Sequence, residues 1–179
     1  MEKKLNIPRE KAAGERLKNK VCVVSGGSKG MGRAFCQALA AEGAKVAVLA
    51  RQSNELETIV QEIGSNAKSV ACDVSNPESI DTAFTTILET FGRIDSVISN
   101  AAITSLLKIE TASISEVQQD IAVNFLGPVF LTRAAIPHLR AAGTGAGAGL
   151  RPPRRQRGSR ARRSCSATAT SRSSSAPAG

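Results

Sequence analysis

The residues whose types and spacing could do chemistry cluster at Ser25-Gly26-Gly27-Ser28-Lys29-Gly30-Met31-Gly32. The glycines fall as Gly-x-x-x-Gly-x-Gly. An apolar run, Val21 to Val24, precedes them, and a helical pattern, Gly30 to Glu42, follows. A strand, a glycine-rich turn and a helix in that order make a cradle for the pyrophosphate of a dinucleotide. Gly26 lets the chain leave the strand in a tight turn. Gly30 lets the backbone approach a phosphate, and Gly32 brings the helix close to the sheet. The N–H groups of the first helical turn then face the anion, and the helix dipole adds partial positive charge there.

The elements that must position this turn read as an alternation. Phe35, Ala38 and Leu39 share a face of the first helix, and Gly43 suits the position that ends it. Lys45 to Ala50 is a second apolar run, whose unbroken character fits a parallel strand covered on both faces. Asn54 and Glu57 have the spacing of a capping pair, ahead of a stripe at Leu56, Ile59, Val60 and Ile63 that Gly64 closes. Ala67 to Cys72 reads as a third strand. Asn76 and Pro77 start a helix whose face is Ile80, Ala83, Phe84, Ile87, Leu88 and Phe91, with Gly92 as its stop. Ile94 to Ser99 is a fourth strand. A polar loop around Thr104 to Ile109 leads to a long helical region, Ser115 to Leu139. Its apolar positions are Val117, Ile121, Phe125, Val129 and Ala134, with a bend at Gly127-Pro128. Such alternation implies an α/β fold, a Rossmann-like doubly wound parallel sheet with four strands recognisable. The fourth strand is expected to be an open edge, which invites aggregation.

Charge divides the chain. Residues 1–139 hold 15 basic and 15 acidic residues, so the net charge of +9 belongs to residues 140–179, which hold nine Arg and no acid. From Gly143 the chain is rich in Gly, Ala, Arg and Ser and has no periodic apolar pattern. Nothing there offsets the entropy of ordering a backbone. The expected organisation is therefore a mobile extension over 1–19, an incomplete dinucleotide-binding domain over 20–142 and a disordered basic tail over 143–179. The arginines suit non-specific, salt-sensitive contact with nucleic acid, without interleaved aromatics to stack on bases. No apolar run of about 18 residues suggests a membrane span, and no apolar signal-peptide core is visible. Cys22, Cys36, Cys72 and Cys165 show neither close pairing nor metal-ligand spacing. These features point to a cytoplasmic protein without a metal. His138 reads as a solvent-facing residue.

Each strand end carries a marked position. The glycine turn follows the first strand, Arg51 the second, Asp73-Val74 the third and Ser99-Asn100-Ala101-Ala102 the fourth. In open parallel sheets, ligands bind outside these carboxyl ends. The combination resembles the short-chain dehydrogenase/reductase family over residues 20–140. Ser25 to Gly32 is similar to that family's Thr-Gly-x-x-x-Gly-Ile-Gly turn. The resemblance implies an oxidoreductase moving hydride between a nicotinamide cofactor and a small carbonyl or alcohol. It implies that Gly26, Ser28, Lys29, Gly30, Met31, Gly32 and Arg51 meet the cofactor. Asp73, beside Val74, would accept from the adenine amino group, and Asn100, Ala101 and Ala102 would lie beside the ribose. Ala102 stands where the family has Gly. Val123 would touch the cofactor, and Asn124 matches the helix asparagine that anchors a proton-relay water. Subunit pairing through the helix over 115–139 is implied as well.

The choice of cofactor rests on charge. Members that use NAD usually carry an acid at the end of strand two, which would repel a 2′-phosphate. Here Ala50 is followed by Arg51, and Lys29 lies in the turn. Two cations and no acid favour NADP(H) over NAD(H). The family's proton chemistry resembles a Ser-Tyr-Lys arrangement, yet this sequence contains no Tyr and no Lys after Lys108. Two readings stay open: an NADP(H)-dependent oxidoreductase by descent that is catalytically incomplete as written, and a non-catalytic NADP(H)-binding or subunit-interaction protein. The abrupt change at Gly143 suits a frameshift, which the coding nucleotides would reveal as an alternative frame containing Tyr-x-x-x-Lys.

Overall fold

The computed structural model describes residues 14–104, 108 and 110–143. Strands β1 (Val21–Ser25), β2 (Lys45–Ala50), β3 (Ala67–Ala71) and β4 (Ser96–Ile98) form one parallel sheet in the order β3-β2-β1-β4. Helices α1 (Gly30–Ala41), α2 (Asn54–Ile63) and α3 (Pro77–Phe91) connect them. After β4 come α4 (Ile114–Ile121), a π-helical turn (Ala122–Leu126) and α5 (Gly127–Ala141). This is the expected Rossmann-like arrangement. The tail from residue 144, with Cys165, and the extension up to residue 13 lie outside the described residues, as do positions 105–107 and 109 of the expected loop.

Side-chain alternation along the strands decides which helices cover which face. Cys22 and Val24 of β1 and Val46 and Val48 of β2 pack with Cys36 of α1 and Leu56 and Ile59 of α2. Val21, Val23, Ala47 and Leu49 point the other way, onto Ile80, Phe84 and Ile87 of α3 and Leu131, Ala135 and Leu139 of α5. β1 and the middle of β2 are therefore buried on both sides, whereas β3, at the edge, buries only Val70. Three thiols sit within these layers. Cys22, Cys36 and Cys72 are free and buried, and burial pushes them up to about 11, 12 and 11.

Several local expectations are corrected. The cap of α2 is Ser53, whose Oγ accepts from Leu56 N–H at 3.3 Å, rather than Asn54. The buried positions of α1 are Gly32 and Cys36, with Leu39 and Ala40 partly covered, while Phe35 and Ala38 are exposed. β3 stops one residue early, and β4 is shorter at both ends than Ile94 to Ser99. The long helix does not bend at Gly127-Pro128 alone. The π turn Ala122–Leu126 interrupts it and shifts the helical phase, because each wide turn carries an extra residue. The face that reaches the core is Val123, Gly127, Leu131, Ala135 and Leu139, and the expected Ile121, Phe125 and Val129 lie outside. His138 is half-buried, its ring 5.9 Å from that of Phe84. Residues 14–19, expected in the extension, fold back on the domain. Leu17 N–H donates to the Glu42 carbonyl at 2.8 Å, Arg16 pairs with Glu42, and Leu17 packs on the α1–α2 layer.

One buried acid fixes the amino-terminal end of the sheet. Asp95, just before β4, accepts from the Val21 N–H at 3.0 Å, from Lys20 Nζ at 3.0 Å and from Arg93 at 2.6 and 2.8 Å. Burial pushes its pKa up, but the donors from Arg93, Val21 and Lys20 outweigh that and hold it below the ordinary value. A carboxylate depressed in the folded state stabilises it above the unfolded pKa of about 3.9 and loses that contribution as pH falls through the folded value. The Lys20 and Arg93 side chains stay partly solvated, which limits the damage when Asp95 is removed. Asp95→Asn is expected to cost about 1–3 kcal/mol at neutral pH. In denaturant titrations the wild-type chain should lose this increment on acidification, and the gap to the variant should close.

Candidate functional site

The carboxyl ends of all four strands open onto one cleft of about 1060 Å³. From the end of β1 come Gly26, Ser28, Lys29, Gly30 and Met31. Arg51 follows β2, Asp73 and Val74 follow β3, and Asn100, Ala101 and Ala102 follow β4. Val123 reaches the cleft from the π turn. Gly32, buried behind the turn, and Asn124 are the sequence-selected residues that do not line it.

A single hydroxyl ties the ends of the neighbouring strands β1 and β4 together. Ser25 Oγ accepts from the backbone N–H of Asn100 at 3.0 Å and of Ala101 at 3.1 Å. It is itself directed at the Ile98 carbonyl at 3.4 Å. Asn100 returns the contact, its Nδ2 donating to the carbonyls of Ser25 and Gly26 at 3.3 and 3.2 Å. The side chain of Asn100 therefore braces the glycine turn. Asn124 braces the next stretch in the same way. Its Oδ1 accepts from Ile103 N–H at 2.9 Å, and its Nδ2 donates to the Ile103 carbonyl at 2.8 Å. Both ends of that amide are turned to the loop after β4.

Two glycines show why the turn tolerates no side chain. A Cβ on Gly32 would lie 2.1 Å from the Gly26 carbonyl oxygen and 2.6 Å from Asn100 Nδ2. Gly32 thus seats α1 on the turn and on Asn100. The close approach of this segment to the sheet, expected of Gly32, falls to Gly27, where a Cβ would meet Val48 Cγ1 at 2.7 Å. Gly30, at φ +52, has nothing within 4 Å of the place a Cβ would occupy. The start of α1 is also chemically open. Side chains of Ser53, Asn76 and Ser113 cap α2, α3 and α4, but Lys29 makes no side-chain cap on α1. The first-turn N–H groups of α1 and the open space at Gly30 fit the pyrophosphate of a dinucleotide.

The charged groups sort by strand. Asp73 Oδ1 accepts from the Oγ and N–H of Ser75 at 2.7 and 2.9 Å. These bonds, with a smaller contribution from the Arg51 charge, hold its carboxyl below the usual range. Lys29 Nζ lies 2.7 Å from Glu55 Oε1 in the first turn of α2. That contact qualifies the expectation of two cations and no acid: an acid does reach this corner, carried by α2 rather than by the end of β2.

The family model described as short chain dehydrogenase matches residues 20–147. The chain belongs to the short-chain dehydrogenase family. It is 36% identical over 119 residues to galactitol 2-dehydrogenase of Agrobacterium fabrum, covering 66% of this chain and 46% of that one. It is 38% identical over 132 residues to versicolorin reductase of Emericella nidulans, covering 72% and 50%. Among solved structures it superposes on a 3-ketoacyl-(acyl-carrier-protein) reductase from Brucella melitensis complexed with NADH. The TM-score is 0.68 at 30% identity, covering 71% of this chain and 53% of that one. The chain spans about half the length of the curated relatives it matches, or less. Among the described residues no helix is long and apolar enough to cross a membrane.

Ala50, the strand-two end on which the cofactor expectation turns, also lines the cleft, as do Gln52, Ser53, Cys72, Ile103 and Gln119, which the sequence does not mark. All but Gln119 directly adjoin a marked strand-end residue or follow within two positions. Gln119 carries no such signal, since it is placed only by the packing of α4. The Ser25 joint yields a direct test. Ser25→Ala leaves two enclosed N–H groups without their acceptor and should destabilise the chain by about 1–3 kcal/mol, whereas Ser25→Thr should keep most of the stability in the same thermal melts. Gly32→Ala, whose added methyl meets backbone, is expected to be worse than Ser25→Ala.

Proposed function

We propose that this chain is the nucleotide-binding portion of an NADP(H)-dependent oxidoreductase acting between a carbonyl and an alcohol. The observation that carries the reading is the uncapped start of α1 beside the open space at Gly30, in one cleft with Arg51 and Lys29. The first-turn N–H groups of α1 would hold the pyrophosphate. Arg51 and Lys29 would meet the 2′-phosphate, an anion that suits a guanidinium and an ammonium. Asp73 would accept from the adenine amino group, and the backbone of Asn100 to Ala102 would flank the ribose. Asn124, by fixing Ile103, would shape the wall beside it.

The nicotinamide supplies or receives the hydride when bound. The proton that must accompany it needs a group of the chain. Family resemblance assigns that task to a Tyr assisted by a Lys, and the 179 residues include no Tyr. Loss of a positioned acid or base costs about 10²–10⁴-fold. We therefore read this chain as holding cofactor without turning over substrate. Subunits would pair through α4, the π turn and α5, which expose Ile121, Phe125, Val129 and Ile136.

Calorimetric titration of the purified chain tests the reading. NADP+ should bind more tightly than NAD+, and Arg51→Met should remove most of the difference while leaving NAD+ binding intact. Equal affinity for both nucleotides in the wild-type chain would refute the cofactor choice. Carbonyl compounds supplied with NADPH should show no reduction above background.

A further inference from the structure

The corner where α2 meets the glycine turn contains a charge pair that the cofactor reading does not use. Lys29 Nζ and Glu55 Oε1 are 2.7 Å apart, and both side chains are substantially exposed, at 69% and 46%. Glu55 is distinct from its neighbour Glu57, which turns toward Gln52 and Ser69. The position of Glu55 is stable on its own account, since an acid in the first turn of a helix meets the positive end of its dipole. Its carboxylate is held down to about 2, first by the hydrogen bond from Lys29, so it is charged throughout the working range of pH.

We infer that Glu55 is a specificity-determining residue that holds Lys29 in reserve and lowers the discrimination of the site in favour of a 2′-phosphate. The inference rests on the reading above that Lys29 meets that phosphate. A nucleotide bearing a 2′-phosphate has to draw Lys29 away from Glu55 or share it, and it leaves a carboxylate next to its own negative charge. A nucleotide bearing a 2′-hydroxyl makes no such demand and leaves the pair intact. Among the described contacts Arg51 forms no ion pair, although its charge acts on Asp73, so the direct hydrogen-bonded restraint falls on Lys29.

The test uses the full chain, NADP+ and NAD+ as probes, and calorimetric dissociation constants for the wild type, Glu55→Gln, Lys29→Met and the double variant. An exposed pair of this kind is worth up to about a fivefold change in an equilibrium constant. Glu55→Gln should therefore tighten NADP+ by about two- to fivefold, leave NAD+ unchanged, and lose the gain when Lys29 is also Met. Unaltered NADP+ affinity in Glu55→Gln, or an equal gain for both nucleotides, would overturn the role of Glu55. If Lys29→Met weakens NADP+ while Glu55→Gln does nothing, only this inference fails. If Lys29→Met leaves NADP+ binding untouched, or the wild-type chain binds neither nucleotide, the reading it rests on fails with it. Circular dichroism melts of each variant confirm that the helix start is intact.

Discussion

The structure depends on a seam between β1 and β4, closed by the Ser25 hydroxyl and the Asn100 amide. In the order β3-β2-β1-β4, the chain runs outward from β1 through β2 and β3 and then crosses back to place β4 on the other side of β1. The loop after β1 leads to α1 on one face, while the segment after β4 leads toward α5 on the other. Loops that diverge leave a crevice, and this is where open α/β sheets bind ligands. Diverging loops also separate easily. Ser25 prevents that by accepting from two successive N–H groups of the opposite loop, and Asn100 by donating back to two carbonyls. Gly26 and Gly32 are required because the seam is so tight that a methyl group would fall on backbone atoms.

The helices around the cleft divide their labour by how they begin. α2, α3 and α4 have their exposed N–H groups satisfied by Ser53, Asn76 and Ser113, the last in a reciprocal pair with Glu116. Those helices are finished structures. α1 begins at a residue with no capping side chain, on a glycine that could be replaced by nothing bulky without filling the opening. A helix start is destabilised by missing partners, so the uncapped one is where a ligand gains most. The same end of the sheet holds Arg51, Lys29 and Glu55, which sets the charge offered to whatever the α1 terminus draws in.

Much of this was legible in the sequence, and what was not has definite causes. The strand-turn-helix order and the four marked strand ends are readable because parallel strands covered on both faces are unbroken apolar runs, as in Val46 to Leu49. The layer assignment of α5 was not readable. A period near 3.6 identifies a helix but not its phase, and the π turn at Ala122–Leu126 rotates the following residues so that Leu131 rather than Val129 meets Phe84 and its neighbours. Phe35 misled for a related reason, since the close packing around Gly27 leaves room beneath α1 for a sulfur but not for a ring. Ser53 is not distinguishable as the cap from sequence alone, because Asn54 offers the same chemistry one residue later. Glu55 carries no marker either, since it sits on a helix rather than at a strand end and only tertiary packing brings it to Lys29.

The three enclosed cysteines carry a practical consequence. A buried sulfur whose ionisation is pushed up reacts slowly with alkylating reagents, so in the folded chain these groups should be slow to modify, Cys72 least so because it also borders the cleft. Cys22 and Cys36 belong to the layer under α1 and α2, and Cys72 belongs to the opposite layer under α3 and α5. Each layer thus contains its own native reporter. The order in which the sulfurs become modifiable as the protein opens would show which side of the sheet lets go first, without the introduction of any foreign label.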